Sequence, residues 1–206
     1  MCNAKLLLTF LEQRLNRPCL TRKKQTNVLA TLVRAVISQN CKDQTTASVV
    51  AALEQENLLV PEVFLQEPNN SLAIIKKSGC YTRKHATIKR LMSLNLQSVE
   101  DIKTLKLSGI GPKTLRVVLA QLTDEIQTIV DVNVLKAYCA CVGFKGSAEK
   151  LRLKLETELG LENAARLAFL LWYQRKNYCK RINCFFNNFC TLCKDFYAPL
   201  LTLNQK

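Results

Sequence analysis

Apolar residues three and four apart recur along most of the chain and confine it to helices. Val28, Leu29, Leu32, Val33, Val36 and Ile37 fall on one helical face. Leu115, Val118, Leu119 and Leu122 do the same, and Leu167, Leu170 and Leu171 mark a late helix. Shorter helices are predicted over residues 46–54, 61–65, 72–77, 85–92 and 99–105. Turn signals separate them: Pro68-Asn69-Asn70, Ser78-Gly79 and the stretch from Gly143 to Gly146. No segment alternates apolar and polar residues as a half-buried strand does. The expectation is an all-α protein of about ten helices, without tandem repeats or low-complexity segments.

Charge narrows the partners. The chain has 206 residues, enough for one large domain or two small ones with a real core, and a net charge of +14 with a single histidine. That surplus favours a polyanion, nucleic acid first, over a merely basic surface. Leu6-Leu7-Leu8 is cut off by Thr9 and Glu12, too short for a secretory core, and nothing approaches a membrane span. An intracellular location, with no membrane contact, is therefore expected. There, ten cysteines point away from disulfides and toward metal, a cluster or plain burial.

The run Leu107-Ser108-Gly109-Ile110-Gly111-Pro112-Lys113-Thr114 reads as a glycine-rich hairpin opening a helix. Gly109 and Gly111 allow positive φ and close approach to another molecule. Pro112 fits the first helical position. Amides exposed at a helix start suit a phosphate. Lys113 is the odd residue, because a cation in the first turn faces the positive end of the helix dipole. The alternative is a common turn with a solvated lysine. Asp131, eighteen residues after Lys113, is either a reactive carboxylate or an N-cap for a helix over 132–141.

Near the C-terminus the chain becomes basic and cysteine-rich. Cys179, Cys184, Cys190 and Cys193 read Cys-x4-Cys-x5-Cys-x2-Cys, among Arg175, Lys176, Lys180 and Arg181. Four thiolates so close together bind either a [4Fe–4S] cluster or zinc. Cys2, Cys19, Cys41, Cys139 and Cys141 read as ordinary apolar or surface cysteines.

With these residues in view, the chain resembles endonuclease III and its superfamily of helix-hairpin-helix DNA glycosylases, from about Asn27 to Cys193. Ile37-Ser38-Gln39-Asn40 with Asp43 resembles the family's Ser-Gln-Asn-x-x-Asp segment. Gly79-Cys80-Tyr81 with Lys84 resembles its Gly-aliphatic-Tyr-x-x-Lys loop. Residues 107–114 resemble its hairpin, and Val130-Asp131-Val132-Asn133-Val134 its Val-Asp-Thr-His/Asn-Val segment. The order and spacing together carry the resemblance.

The resemblance implies two all-α domains flanking a DNA cleft. One is a six-helix barrel over residues 21–125. The other joins 1–20 to 126–206 and holds the cluster. It implies Lys113 as the amine nucleophile and Asp131 as the catalytic carboxylate of a bifunctional glycosylase/AP lyase of base excision repair. The expected partner is double-stranded DNA with a damaged base, an oxidised pyrimidine first, or an abasic site, bound by a monomer. Attack requires a neutral amine, so a cleft and a helix start should lower the lysine from its ordinary ~10.4. The amides of Gly109, Ile110 and Gly111 are expected to grip phosphate, and Gln39 or Asn40 to fill the space a flipped base leaves. Tyr81 should add contacts, as should Arg83, Lys84, Lys89 and Arg90 unless they form a solvated face.

Three departures stand out. Cys80 occupies the position of a bulky aliphatic wedge, where it wedges weakly or is simply a buried small residue. The family's cysteines run Cys-x6-Cys-x2-Cys-x5-Cys, so only the first aligns. The cluster is still favoured over zinc, with a structural role presenting Arg175, Lys176, Lys180 and Arg181 to the DNA backbone. Trp172-Tyr173-Gln174-Arg175 stands where endonuclease III tends to carry His-Gly-Arg. Alternative readings are a glycosylase for 8-oxoguanine or for uracil and thymine mismatches, a non-catalytic helix-hairpin-helix DNA-binding protein, and a cluster or zinc scaffold.

Overall fold

The computed structural model describes residues 3–15 and 24–178; the four cysteines of the C-terminal module lie outside the described residues. The described residues form eleven α-helices, one 3-10 turn and no strand. The chain divides into two units, Arg22–Glu125 and the pair Met1–Thr21 with Ile126–Lys206. Among the described residues no helix is long and apolar enough to cross a membrane.

The central unit contains α2 (Val28–Ser38), α3 (Asp43–Gln55), α4 (Pro61–Gln66), α5 (Pro68–Ile75), the 3-10 turn Lys76–Ser78, α6 (Tyr81–Met92), α7 (Val99–Thr104) and α8 (Pro112–Leu122). Helix α2 is its axle. Its face of Leu32, Val33, Val36 and Ile37 is fully buried against α3, α6 and α8, meeting Leu53, Ile88 and Val118. Burying such a side chain contributes about 1.5–3 kcal/mol, so this stripe is the chief organiser of the unit. Asn27 caps α2 by accepting from the Ala30 amide at 2.9 Å. Ser98 and Asp101 form a capping box on α7. Pro68-Asn69-Asn70, expected as a turn, instead opens α5. Pro68 sits in the first helical turn, where its missing amide hydrogen costs nothing.

The second unit contains α1 (Ala4–Leu15), α9 (Val132–Val142), α10 (Ala148–Leu159) and α11 (Leu161–Tyr178). Leu167, Leu170 and Leu171 of α11 pack with Leu7 and Leu11 of α1, Val134 and Tyr138 of α9, and Leu151 and Leu155 of α10. Tyr138 meets Phe144 edge to face, with centroids 6.0 Å apart. An Arg166–Glu12 ion pair joins α11 to α1. Gly143, at φ 72°, ends α9 in the left-handed conformation that glycine tolerates best.

Candidate functional site

In the central unit three segments are tied together: the hairpin before α8 to the end of α2, and the end of α2 to the turn into α6. The first is the hairpin. Gly109 has φ 95°, and a Cβ there would lie 2.3 Å from Oγ1 of Thr87, a buried, β-branched side chain with little room to move. Thr87 Oγ1 also donates to the Ser108 carbonyl at 3.3 Å. Gly109 is therefore required twice, by conformation and by space.

Gly111 differs from the expectation. Its φ is −91°, in the extended region, so positive φ is not its reason. It is the N-cap of α8, and a Cβ there would meet nothing within 4 Å. Ile110 differs too. Its amide donates to the Leu107 carbonyl at 3.0 Å, and its side chain is 7% exposed in the core. It closes the hairpin rather than offering an amide outward. No side chain caps the first amides of α8, and Lys113 stands exposed at its second residue.

The second segment is the end of α2. Gln39 is half-buried, and its Nε2 donates to the Gly109 carbonyl at 2.9 Å and to Thr114 Oγ1 at 3.3 Å. Asn40 is exposed in a left-handed conformation at φ 51°. The two candidates for the base gap are thus unlike: Gln39 braces the hairpin, whereas Asn40 faces solvent.

The third segment is the turn into α6. Gly79 has φ 68°, and Cys80 is exposed, left-handed at φ 48°, and carries a free thiol. Tyr81 is exposed, with the Lys76 ammonium 6.0 Å from its ring centroid. Arg83, Lys89 and Arg90 are exposed on the outer face.

Lys84 corrects the expectation of a phosphate contact. It is 4% exposed, and its Nζ donates at 2.8 Å to both the Ile37 and the Ser78 carbonyls. Burial pulls its pKa below the ordinary lysine value, opposed in part by electrostatic attraction to the Cys41 and Cys80 sulfurs. The signal was present in the sequence: Lys84 lies four before Ile88 and seven before Leu91, on the buried stripe of α6. The roles of Thr87 and Gln39 had no such signal, because their partners lie 21 and 70 residues away.

In the second unit Asp131 caps α9. Its Oδ1 accepts from the Asn133 and Val134 amides, both at 2.8 Å, and Asn133 Nδ2 donates to Oδ2 at 3.2 Å. These bonds fix the carboxylate, which remains half-exposed and able to act on a ligand. On α11, Trp172 and Phe169 stack with centroids 6.2 Å apart, and the Lys176 ammonium lies 4.7 Å from the Trp172 centroid. Arg175, expected to face a DNA backbone, is buried at 8% exposure. Lys180 and Arg181, like the four cysteines, lie outside the described residues. Among the described residues no three His, Cys, Asp or Glu side chains group as metal ligands.

The chain thus places a glycine hairpin between two helices, the second of which starts without a side-chain cap and carries an exposed lysine at its second position. It is 30% identical over 146 residues to endonuclease III homolog 1, chloroplastic, of Arabidopsis thaliana, across 65% of this chain and 38% of that protein. It is 29% identical over 142 residues to endonuclease III homolog 2, chloroplastic, of the same plant, across 64% and 36%. The chain spans little more than a third of the length of these curated relatives. Its fold matches the solved structure of a non-covalent endonuclease III–DNA complex with a TM-score of 0.74 at 17% identity, covering 98% of this chain and 100% of that one. No protein-family model matches the chain. The chain thus shares the fold of endonuclease III and is similar in sequence to its plant homologues over about two thirds of its own length.

Proposed function

We propose that the chain is a DNA glycosylase of base excision repair with AP lyase activity, acting on duplexes that carry an oxidised pyrimidine or an abasic site. One observation carries the reading: an exposed lysine at the second position of a helix whose first amides no side chain caps, directly after a hairpin with an unobstructed glycine. The amides bind a phosphate beside the lesion without reading sequence. The same phosphate offsets the unfavourable position of Lys113 in the helix dipole.

In the proposed reaction the damaged nucleotide leaves the stack. The neutral Lys113 amine attacks C1′, the glycosidic bond breaks, and the base departs with a proton. The sugar ring opens to a Schiff base between Lys113 and C1′. Loss of a C2′ proton then expels the 3′ phosphate by β-elimination, and hydrolysis of the Schiff base frees the enzyme. Asp131, held by its own helix, stabilises the cationic sugar and assists proton transfer. Asn40 fills the vacated space, because Gln39 is engaged with the hairpin.

The donor set Cys179, Cys184, Cys190 and Cys193, all thiolates, suits a [4Fe–4S] cluster and also suits zinc. The group supplies structural cross-linking, and no step of the reaction runs through it. Metal analysis of anaerobically purified protein decides between them: iron with a brown colour supports the cluster, and zinc without colour assigns the set to zinc. The function is tested on end-labelled duplexes with one oxidised pyrimidine, 8-oxoguanine or a uracil mismatch. Strand cleavage without alkali at the oxidised pyrimidine supports the reading. Cleavage only after alkali makes the protein a monofunctional glycosylase, and tight binding without base release makes it a DNA-binding protein.

A further inference from the structure

Two turns of the central unit share one ammonium group as a hydrogen-bond donor. The carbonyl of Ile37 lies in the last turn of α2, and that of Ser78 ends the 3-10 turn. Both receive a 2.8 Å hydrogen bond from Nζ of Lys84, in the first turns of α6. Carbonyls at helix ends are the unsatisfied, partly negative groups of the backbone, so a buried cation between two of them is well placed.

Just beyond each carbonyl the chain enters a left-handed conformation: Asn40 at φ 51° after the first, Gly79 at φ 68° and Cys80 at φ 48° after the second. Two of these three are not glycine. Backbone of this kind persists only where its surroundings over-determine it. No other side-chain hydrogen bond among those found crosses between the two turns, and neither has a side-chain cap at its exit.

Resting on the function proposed above, we propose that Lys84 is a positioning residue whose ammonium holds the 38–41 turn and the 79–81 turn in fixed register, so that both enter the duplex together when a base pair opens. The need is sharper here than with a bulky wedge. Cys80 displaces little by itself, so opening depends on Asn40 and Tyr81 arriving together. At a site that already lacks its base, less opening is required and the register matters less.

The test uses the full chain with Lys84→Met, which keeps the length of the stem and removes the donors, and Lys84→Gln, shorter but still a donor, as the second variant should the first not fold. In hydrogen exchange, amides in 38–42 and 78–82 should both exchange about tenfold faster or more, while α9 to α11 stay protected as in the parent. Single-turnover excision at an oxidised pyrimidine should fall about tenfold more than borohydride trapping at an abasic site. If only one turn or neither responds in exchange, the proposal is overturned. It is also overturned if excision and trapping fall by the same factor, the behaviour of a residue needed only for folding. Should the parent protein neither excise nor trap, the functional reading fails on its own, and exchange at the two turns still decides whether Lys84 couples them.

Discussion

The Nε2 amide of Gln39 donates to the carbonyl of Gly109 at 2.9 Å, so the end of α2 and the hairpin before α8 are braced together. A second bond from the same amide reaches Thr114 Oγ1, on the far side of Lys113. Gln39→Ala should therefore cost about 1 kcal/mol of stability and loosen the hairpin. Asn40→Gly suits φ 51° and should leave the melting temperature unchanged, while lowering excision at a base-bearing lesion more than trapping at an abasic site. Thermal melts beside single-turnover excision check both. The opposite pattern would return the gap-filling role to Gln39.

The two hairpin glycines should fail differently. Gly109→Ala places a Cβ against the buried Thr87 and forces an alanine to φ 95°, so a loss of about 1–3 kcal/mol is expected. Gly111→Ala meets no protein atom and should cost under about 1 kcal/mol as an N-cap change. It should nonetheless weaken DNA binding, because the added methyl occupies the space through which a phosphate approaches. Chemical denaturation and fluorescence anisotropy on a labelled duplex separate the two effects.

Asp131 has two roles that a pair of variants can divide. Asp131→Asn keeps an Oδ1 acceptor for the Asn133 and Val134 amides, so stability should hold. Asp131→Ala should lose about 1 kcal/mol. Base excision should fall about a hundredfold or more in both. If Asp131→Asn retains activity, the carboxylate is a helix cap and nothing more.

Helix faces were legible in the sequence because burial on α2, α8 and α11 repeats every three or four residues. The hairpin was legible because Gly109 and Gly111 flank one apolar residue and Pro112 suits a first helical position, although a common turn reads the same way. What escaped was non-local or ambiguous. Pro68 suits both a turn and a first helical position, and the following helix decided between them. Lys84 reads as a surface cation or phosphate contact when its charge is weighed above its place on a buried stripe. Ile110 turns its amide inward because an apolar residue between two glycines is the natural anchor of a hairpin. Arg175 likewise follows α11 into the interior rather than the basic segment around it.

His85 should give the fold a dependence on acid. Its Nε2 lies 3.0 Å from Ser71 Oγ, its ring stacks on Phe64 at 5.4 Å, and burial, helped by the Lys89 charge, holds its pKa below the ordinary value near ~6.5. The folded state thus binds the proton less well than the unfolded one. Stability from the neutral ring is present above about pH 6.5 and is lost as pH falls from there through the lowered folded value. Melting temperature should drop from about pH 7.5 to about pH 5.5 in the parent, and drop less in His85→Gln. Equal drops would remove His85 from the account.

The central claim is that Lys113 forms a Schiff base with DNA. The most direct measurement is borohydride trapping on duplexes holding one abasic site or one oxidised pyrimidine, with the parent protein beside Lys113→Ala. The expected result is a covalent protein–DNA adduct with the parent on both duplexes and none with the variant, whose melting temperature matches the parent's. An adduct that survives in Lys113→Ala, or no adduct with the parent despite tight binding, would contradict the claim.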